Sequence, residues 1–185
     1  MALRNAVMLG STTHAYTGSG SDTTLGWDDS FTTYHYEEVT GDESAATTVE
    51  VSATHTFTTA RTIKLIKLRL YAYSQVVSQH TEIASYNMYA QYYNGSWNNI
   101  TGSVFSDSES GDNEGEGSIT RTLEKDTGTV SWVCDLANVT AIKAYVYSYG
   151  RADKGTEGGE SHTIKARIYE LQAFYTVLKD YSGVV

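Results

Sequence analysis

Residues 163–177 read TIKARIYELQAFYTV, the longest uninterrupted strand-like run in the chain. Side chains alternate across a strand with a period of two, so Ile164, Ala166 and Ile168 share one face, while Lys165 and Arg167 share the other. After Tyr169 and Glu170 the phase slips by one, and Leu171, Ala173, Tyr175 and Val177 become the alternating set. A one-residue slip in a paired strand requires a bulge or a bend. A long, bent strand late in the chain is what a β-sandwich uses to tie its first and last strands together.

The rest of the sequence fits that architecture. At residues 47–57, Thr47, Val49, Val51, Ala53, His55 and Phe57 lie on one face, and Thr48, Glu50, Ser52, Thr54 and Thr56 on the other. This is the pattern of a half-buried strand. It places His55 inward, as a core histidine rather than a metal ligand, because no second ligand-type residue stands beside it at strand spacing. Residues 63–77 start with Ile63 and Leu65, slip, and continue with Ile66, Leu68, Leu70 and Ala72. A loop is expected over residues 78–84, then a strand over 86–93. Asn94-Gly95 is a strong hairpin signal, with Trp97 and Ile100 on the return. Residues 106–118, SDSESGDNEGEGS, read as a polar acidic loop, residues 119–123 and 129–136 as strands around a turn at 125–128, and residues 139–149 as a further strand. A second glycine-rich loop follows at 150–161.

The expected fold is therefore all-β: a single antiparallel β-sandwich of the jelly-roll kind with about eight strands and no helix. The sandwich spans residues 27–178. It is preceded by an extended N-terminal arm, residues 1–26, and followed by a tail, residues 179–185. One short strand is expected in the arm at residues 6–9. The arm is either loose or ordered against a neighbouring subunit.

The chain has 185 residues and one cysteine, Cys134, so the core must hold without an internal disulfide. Its net charge of −9, with 13 Lys and Arg against 22 Asp and Glu, argues against nucleic acid as a partner. The apolar run near the N-terminus is too short for a signal-peptide core or a membrane span, so the reading is a cytoplasmically made protein without a membrane partner. There are 15 tyrosines and no prolines. Tyrosine suits half-exposed strands and interfaces, having a flat apolar body and a polar tip.

Three stretches carry a resemblance. Tyr92-Tyr93-Asn94-Gly95-Ser96-Trp97-Asn98-Asn99-Ile100, Val139-Thr140-Ala141-Ile142-Lys143-Ala144-Tyr145-Val146 and Arg167-Ile168-Tyr169-Glu170-Leu171-Gln172-Ala173-Phe174 resemble, in this order, segments of the galactose-binding-like jelly roll of discoidin (F5/8 type C) and related carbohydrate-binding modules. The resemblance implies that fold and, with it, sugar binding. The family's paired terminal cysteines and its apical binding loops have no counterpart here. Viral tail and capsid proteins also resemble this fold, and a signal-less, tyrosine-rich jelly roll is similar to phage structural proteins.

Candidate sites follow from residue type. Trp97, with Tyr93 and Asn94 beside the hairpin turn, is the best ligand platform. Trp132 alternates with Val130 and Cys134 and reads as core; Trp27 stands at the entry to the domain. The outward tyrosines Tyr71, Tyr73, Tyr145, Tyr147 and Tyr149, joined by Tyr89 and Tyr93, form stripes too apolar to leave bare and read as an intersubunit surface. Asp107, Glu109, Asp112 and Glu114 offer hard oxygen ligands that calcium could take, though their spacing is not that of an EF-hand; a solvated loop is the plainer reading. No cofactor is otherwise expected. No nucleophile elbow, zinc motif or phosphate loop occurs, so the chain reads as non-enzymatic.

The leading expectation is a virion structural protein, a phage capsid-decoration or tail component located in the virion. It would assemble as a homo-oligomer or with other virion proteins through its tyrosine faces and arm. The alternative is a carbohydrate-binding module or receptor-binding protein that recognises glycans.

Overall fold

The computed structural model describes residues 2–5, 14–17, 34–41, 46–78, 80–112, 117–152 and 160–177. Among the described residues ten strands run in chain order: β1 Ala2–Asn5, β2 His14–Thr17, β3 His35–Gly41, β4 Ala46–Ser78, β5 Thr81–Tyr93, β6 Trp97–Asn99, β7 Phe105–Asp112, β8 Ile119–Asp126, β9 Val130–Ala152 and β10 Ser161–Val177. Every pairing is antiparallel. Among the described residues there is no helix. The fold is an antiparallel β-sandwich, as the alternation predicts.

β4 is the hub. Its second half, from Ile63 onward, lies between β10 and a continuous edge made of β8 and the start of β9. With β3 and β1 beyond β10, these strands form the first sheet. The first half of β4 lies between β2 and the second half of β9, which in turn pairs with β5; β6 and β7 complete this second sheet. β4 and β9 thus run through both sheets.

The sequence splits each of these long strands in two; the structure bends them instead. In β4 the register with β9 shifts on both sides of Arg61, over the exposed residues Thr58, Thr59 and Ala60. In β9 the bend falls at Asn138, whose φ of 58° is a left-handed value that asparagine tolerates better than most residues. The slip expected in the last strand is present: the pairing of β10 with β4 is irregular between Ile168 and Glu170.

The inner faces meet in one core. Val49, Val51, Met88, Ile142 and Val146 of the second sheet belong to the same buried cluster as Leu68, Leu70, Ile164, Ile168 and Leu171 of the first. His55 is fully buried, with its ring edge-on to Phe57 at 4.7 Å. Where the sheets draw together, small residues replace large ones. A Cβ on Gly150 would collide with Ile164 and come within 3.0 Å of Val76. The Ser148 hydroxyl donates across the gap to the Lys165 carbonyl at 2.9 Å, and that of Ser74 to the Tyr149 carbonyl at 2.6 Å. A buried ion pair also links the sheets. Arg121 of β8 donates Nε to Oε1 of Glu82 on β5 at 3.0 Å, and Glu82 is wholly buried. Glu109 lies 3.8 Å from the same guanidinium. A Cβ on Gly111 would meet the ends of both side chains, so any other residue there has to displace the Arg121 guanidinium or the Glu82 carboxylate.

Three expectations need correction. The acidic run begins as a strand, not a loop: Phe105 to Asp112 pairs with β5 from Met88 back to Thr81. An edge strand needs no apolar face, and charges there are a common way of blunting an edge. The loop expected at 78–84 is likewise shorter, because β5 starts at Thr81. The arm is also no free extension where it is described. β1 pairs with the end of β10, and β2 with residues 52–55 of β4. The strand expected at 6–9, Trp27 and the tail at 179–185 lie outside the described residues.

The turn expected at 125–128 joins β8 to β9, with Gly128 at a φ of 61°. Asp126 holds it, accepting from Arg69 at 3.1 and 2.6 Å and from the Gly128 amide at 2.8 Å. The hydrogen bond from Arg69 is the main cause holding the Asp126 carboxyl below its ordinary range. A depressed carboxyl contributes stability above the unfolded-state value of about 3.9 and loses it as pH falls through the folded-state value. Asp126→Asn should therefore cost little, ~0.5 kcal/mol at neutral pH for a pair this exposed. It should also flatten the acid limb of the unfolding free energy below about pH 4. Chemical denaturation of both proteins between neutral and acid pH reads this; an unchanged acid limb would refute it.

Candidate functional site

Trp97, Tyr93 and Asn94 come together at the β5–β6 hairpin. Tyr93 pairs with Trp97 across the turn, and Gly95 takes the φ of 113° that the turn needs. The two rings meet edge to face at 5.4 Å. Trp97 remains 40% exposed. Gln91 and Asn99, on the same sheet face, bond to each other at 2.9 Å, whereas Asn98 turns to the opposite face and donates to Asn94 at the turn at 3.1 Å. Lys143, opposite Gln91 on β9, carries its ammonium 4.6 Å from the Trp97 ring centre.

Sequence reasoning finds the aromatic pair and the turn. It misses Lys143 and Gln91 as parts of the same place, because only the β5–β9 register puts residues 143 and 91 side by side. The chemistry of the patch is a flat apolar ring with the Gln91 and Asn99 amides on its face and one cation against it. No catalytic step follows from such a set.

The outward tyrosines divide between two faces. Tyr145, Tyr147 and Tyr149 stand in file on β9 in the second sheet, and Tyr145 stacks on Tyr89 at 4.7 Å and 24°. Burial first, then the nearby Glu50 carboxylate, pushes the phenols of Tyr145 and Tyr89 up, so both remain protonated donors at neutral pH. This file runs on from the Lys143 row into the Trp97 patch, on the same outer face.

Tyr71 and Tyr73 belong to the first sheet, flanked there by β10 and β8. They do not join the other three. Tyr71 donates to Glu124 at 2.9 Å, and burial first and this bond second raise its phenol. Arg167 lies over the rings of both Tyr34 and Tyr71, at 4.6 and 5.0 Å, and Lys165 lies 5.8 Å from the Tyr73 ring centre while reaching Glu38 at 2.8 Å. These tyrosines are engaged within their own sheet, so the outward tyrosines form two surfaces of different character.

The acidic set is dispersed. Asp107 and Glu109 alternate along β7, and Glu109 faces Arg121. Asp112 ends that strand opposite Thr81, and Glu114 lies outside the described residues. Among the described residues no three His, Cys, Asp or Glu side chains group as a metal site would require.

No family model matches the chain, and no curated protein matches it. Among solved structures it is similar to the family 32 carbohydrate-binding module of NanJ from C. perfringens in complex with galactose, at a TM-score of 0.32 and 18% identity, covering 88% of this chain and 93% of that one. It is similar to TmCBM61 in complex with β-1,4-galactotriose at a TM-score of 0.25 and 11% identity, covering 94% and 88%. It is also similar to the enzymatically active domain of tailspike protein 4 of bacteriophage CBA120, at a TM-score of 0.27 and 13% identity, covering 95% of this chain and 19% of that chain.

Proposed function

We propose that this chain is a non-enzymatic recognition domain that binds glycans at the Trp97 end of its second sheet. The observation that carries the reading is the exposed Trp97 ring beside Tyr93, with Gln91 and Asn99 on the same sheet face and Lys143 against the ring. A sugar presents an apolar C–H face and a rim of hydroxyls. A flat aromatic ring matches the first, and amides, which both donate and accept, match the second. Galactose and β-1,4-galactotriose, the ligands of two similar modules, are the first probes. Isothermal titration followed by a glycan array should find a ligand. Trp97→Ala should weaken its binding by about tenfold or more, ~1.4 kcal/mol, with the unfolding midpoint unchanged. Wild-type protein that binds nothing on a broad array would defeat the reading, as would a Trp97→Ala variant that binds equally well.

A second reading keeps the role of virion structural protein, capsid-decoration or tail. The file of Tyr145, Tyr147 and Tyr149 with Tyr89 favours it, because tyrosine is enriched in protein interfaces. In that reading the second sheet docks on another virion protein. The two readings meet in a tail protein that recognises receptors.

A further inference from the structure

We propose that the β8–β9 edge of the first sheet pairs with the same edge of a second copy, centred on Val133. Where β9 begins, residues 130–136 pair with β4 on one side only. Among the described residues no strand lies on the other side. Such an edge offers a row of free backbone donors and acceptors, and proteins usually blunt it with charge. The longer edges of β7 and β3 follow that rule, with Asp107, Glu109 and Asp112 on β7 and Glu37 and Glu38 on β3; the uncharged edges β2 and β6 are only four and three residues long. Residues 130–136, VSWVCDL, carry one charge, Asp135, which is already engaged by Lys64 of the neighbouring strand. At the middle of the segment Val133 is 90% exposed, more than Val104 at 48% or Trp97 at 40%. Leu65, its partner across the pairing, is half-buried and pairs in turn with Phe174, so an apolar row leads from the edge into the sheet.

The sequence of the segment selects the occupant. Antiparallel pairing of two copies about Val133 sets Val133 against Val133, Ser131 against Asp135 twice, Val130 against Leu136 and Trp132 against Cys134. Outward residues then meet outward residues, hydroxyls meet carboxylates, and no like charges oppose one another. Centring on Asp135 places two carboxylates opposite each other. Centring on Cys134 places Val133 against a carboxylate, and centring on Trp132 places it against a serine. Only the Val133 register pairs the bare valine with itself. The contact is two-fold and closes on itself, so it yields a dimer with one sheet continuous through both copies.

The test uses the full-length chain. Light scattering over a concentration series should show a dimer. Val133→Lys should raise its dissociation constant tenfold or more with an unchanged unfolding midpoint, since the side chain is exposed. In a Cys134→Ala background, Val133→Cys should form an intermolecular disulfide on mild oxidation, because directly opposed residues in an antiparallel pair lie about 4.5–5.5 Å apart at Cα, within disulfide reach. Ser131→Cys in the same background should not, being displaced from its own copy by four residues. A wild-type monomer at all concentrations overturns the proposal. So does a dimer indifferent to Val133→Lys, or cross-linking that is equal at 131 and 133.

Discussion

Arg121→Met should destabilise the protein by about 3 kcal/mol, because it leaves the Glu82 carboxylate buried without its counter-charge. For a chain of this length that corresponds to a fall in melting temperature of roughly 6–12 °C. Glu82 is fully buried between β5 and β8, whereas Arg121 keeps about a third of its side chain in solvent. The loss is therefore asymmetric: removing the arginine strands a charge in the interior. Replacing both residues, as Glu82→Met with Arg121→Met, removes the charge as well as its partner. That double variant should be more stable than Arg121→Met alone, by about 1 kcal/mol or more. Urea denaturation of the four proteins of the cycle measures it. A loss under about 1 kcal/mol for Arg121→Met would mean water reaches Glu82, contrary to the geometry.

The second large effect lies where the sheets close. Gly150→Ala should cost about 2–4 kcal/mol, from overpacking plus the weakening of the two serine-to-carbonyl bonds beside it. The new methyl group meets Ile164 of β10 first. Shortening Ile164 should relieve it. Ile164→Ala alone costs about 2–4 kcal/mol as a cavity, and in the Gly150→Ala background it should cost at least about 1 kcal/mol less. Strict additivity of the two changes would show that the sheets simply move apart.

The buried faces were legible because they follow one rule. The inward residues of β4, β9 and β10 alternate, and the slip after Ile168 appears in the sequence as two apolar sets out of phase. The bends were less legible. Residues 58–62, TTART, and 137–138, Ala-Asn, carry no apolar alternation, so a strand that turns a corner in the open reads as two strands with a gap. β7 was illegible for a related reason: its residues are nearly all exposed, and pairing with β5, rather than an alternating apolar face, defines it. At the candidate site the local part, Tyr93-Asn94-Gly95-Ser96-Trp97, could be read from the turn chemistry. Lys143 and the division of the tyrosines between two sheets could not, since both depend on which strands are neighbours and at what register.

The place of β4 at the centre of both sheets has a consequence for biosynthesis. Its partners β9 and β10 are encoded far downstream, between Val130 and Val177. A ribosome that has just released Ser78 must add about a hundred more residues before β10 is available, roughly 5–20 s at ordinary elongation rates. Until its downstream partners emerge, the 33 residues of β4 are matched only where β2 pairs with them, and the rest of the strand is a segment capable of pairing with another nascent chain nearby. Completion of the sheets around β4 therefore waits on residues 130–177.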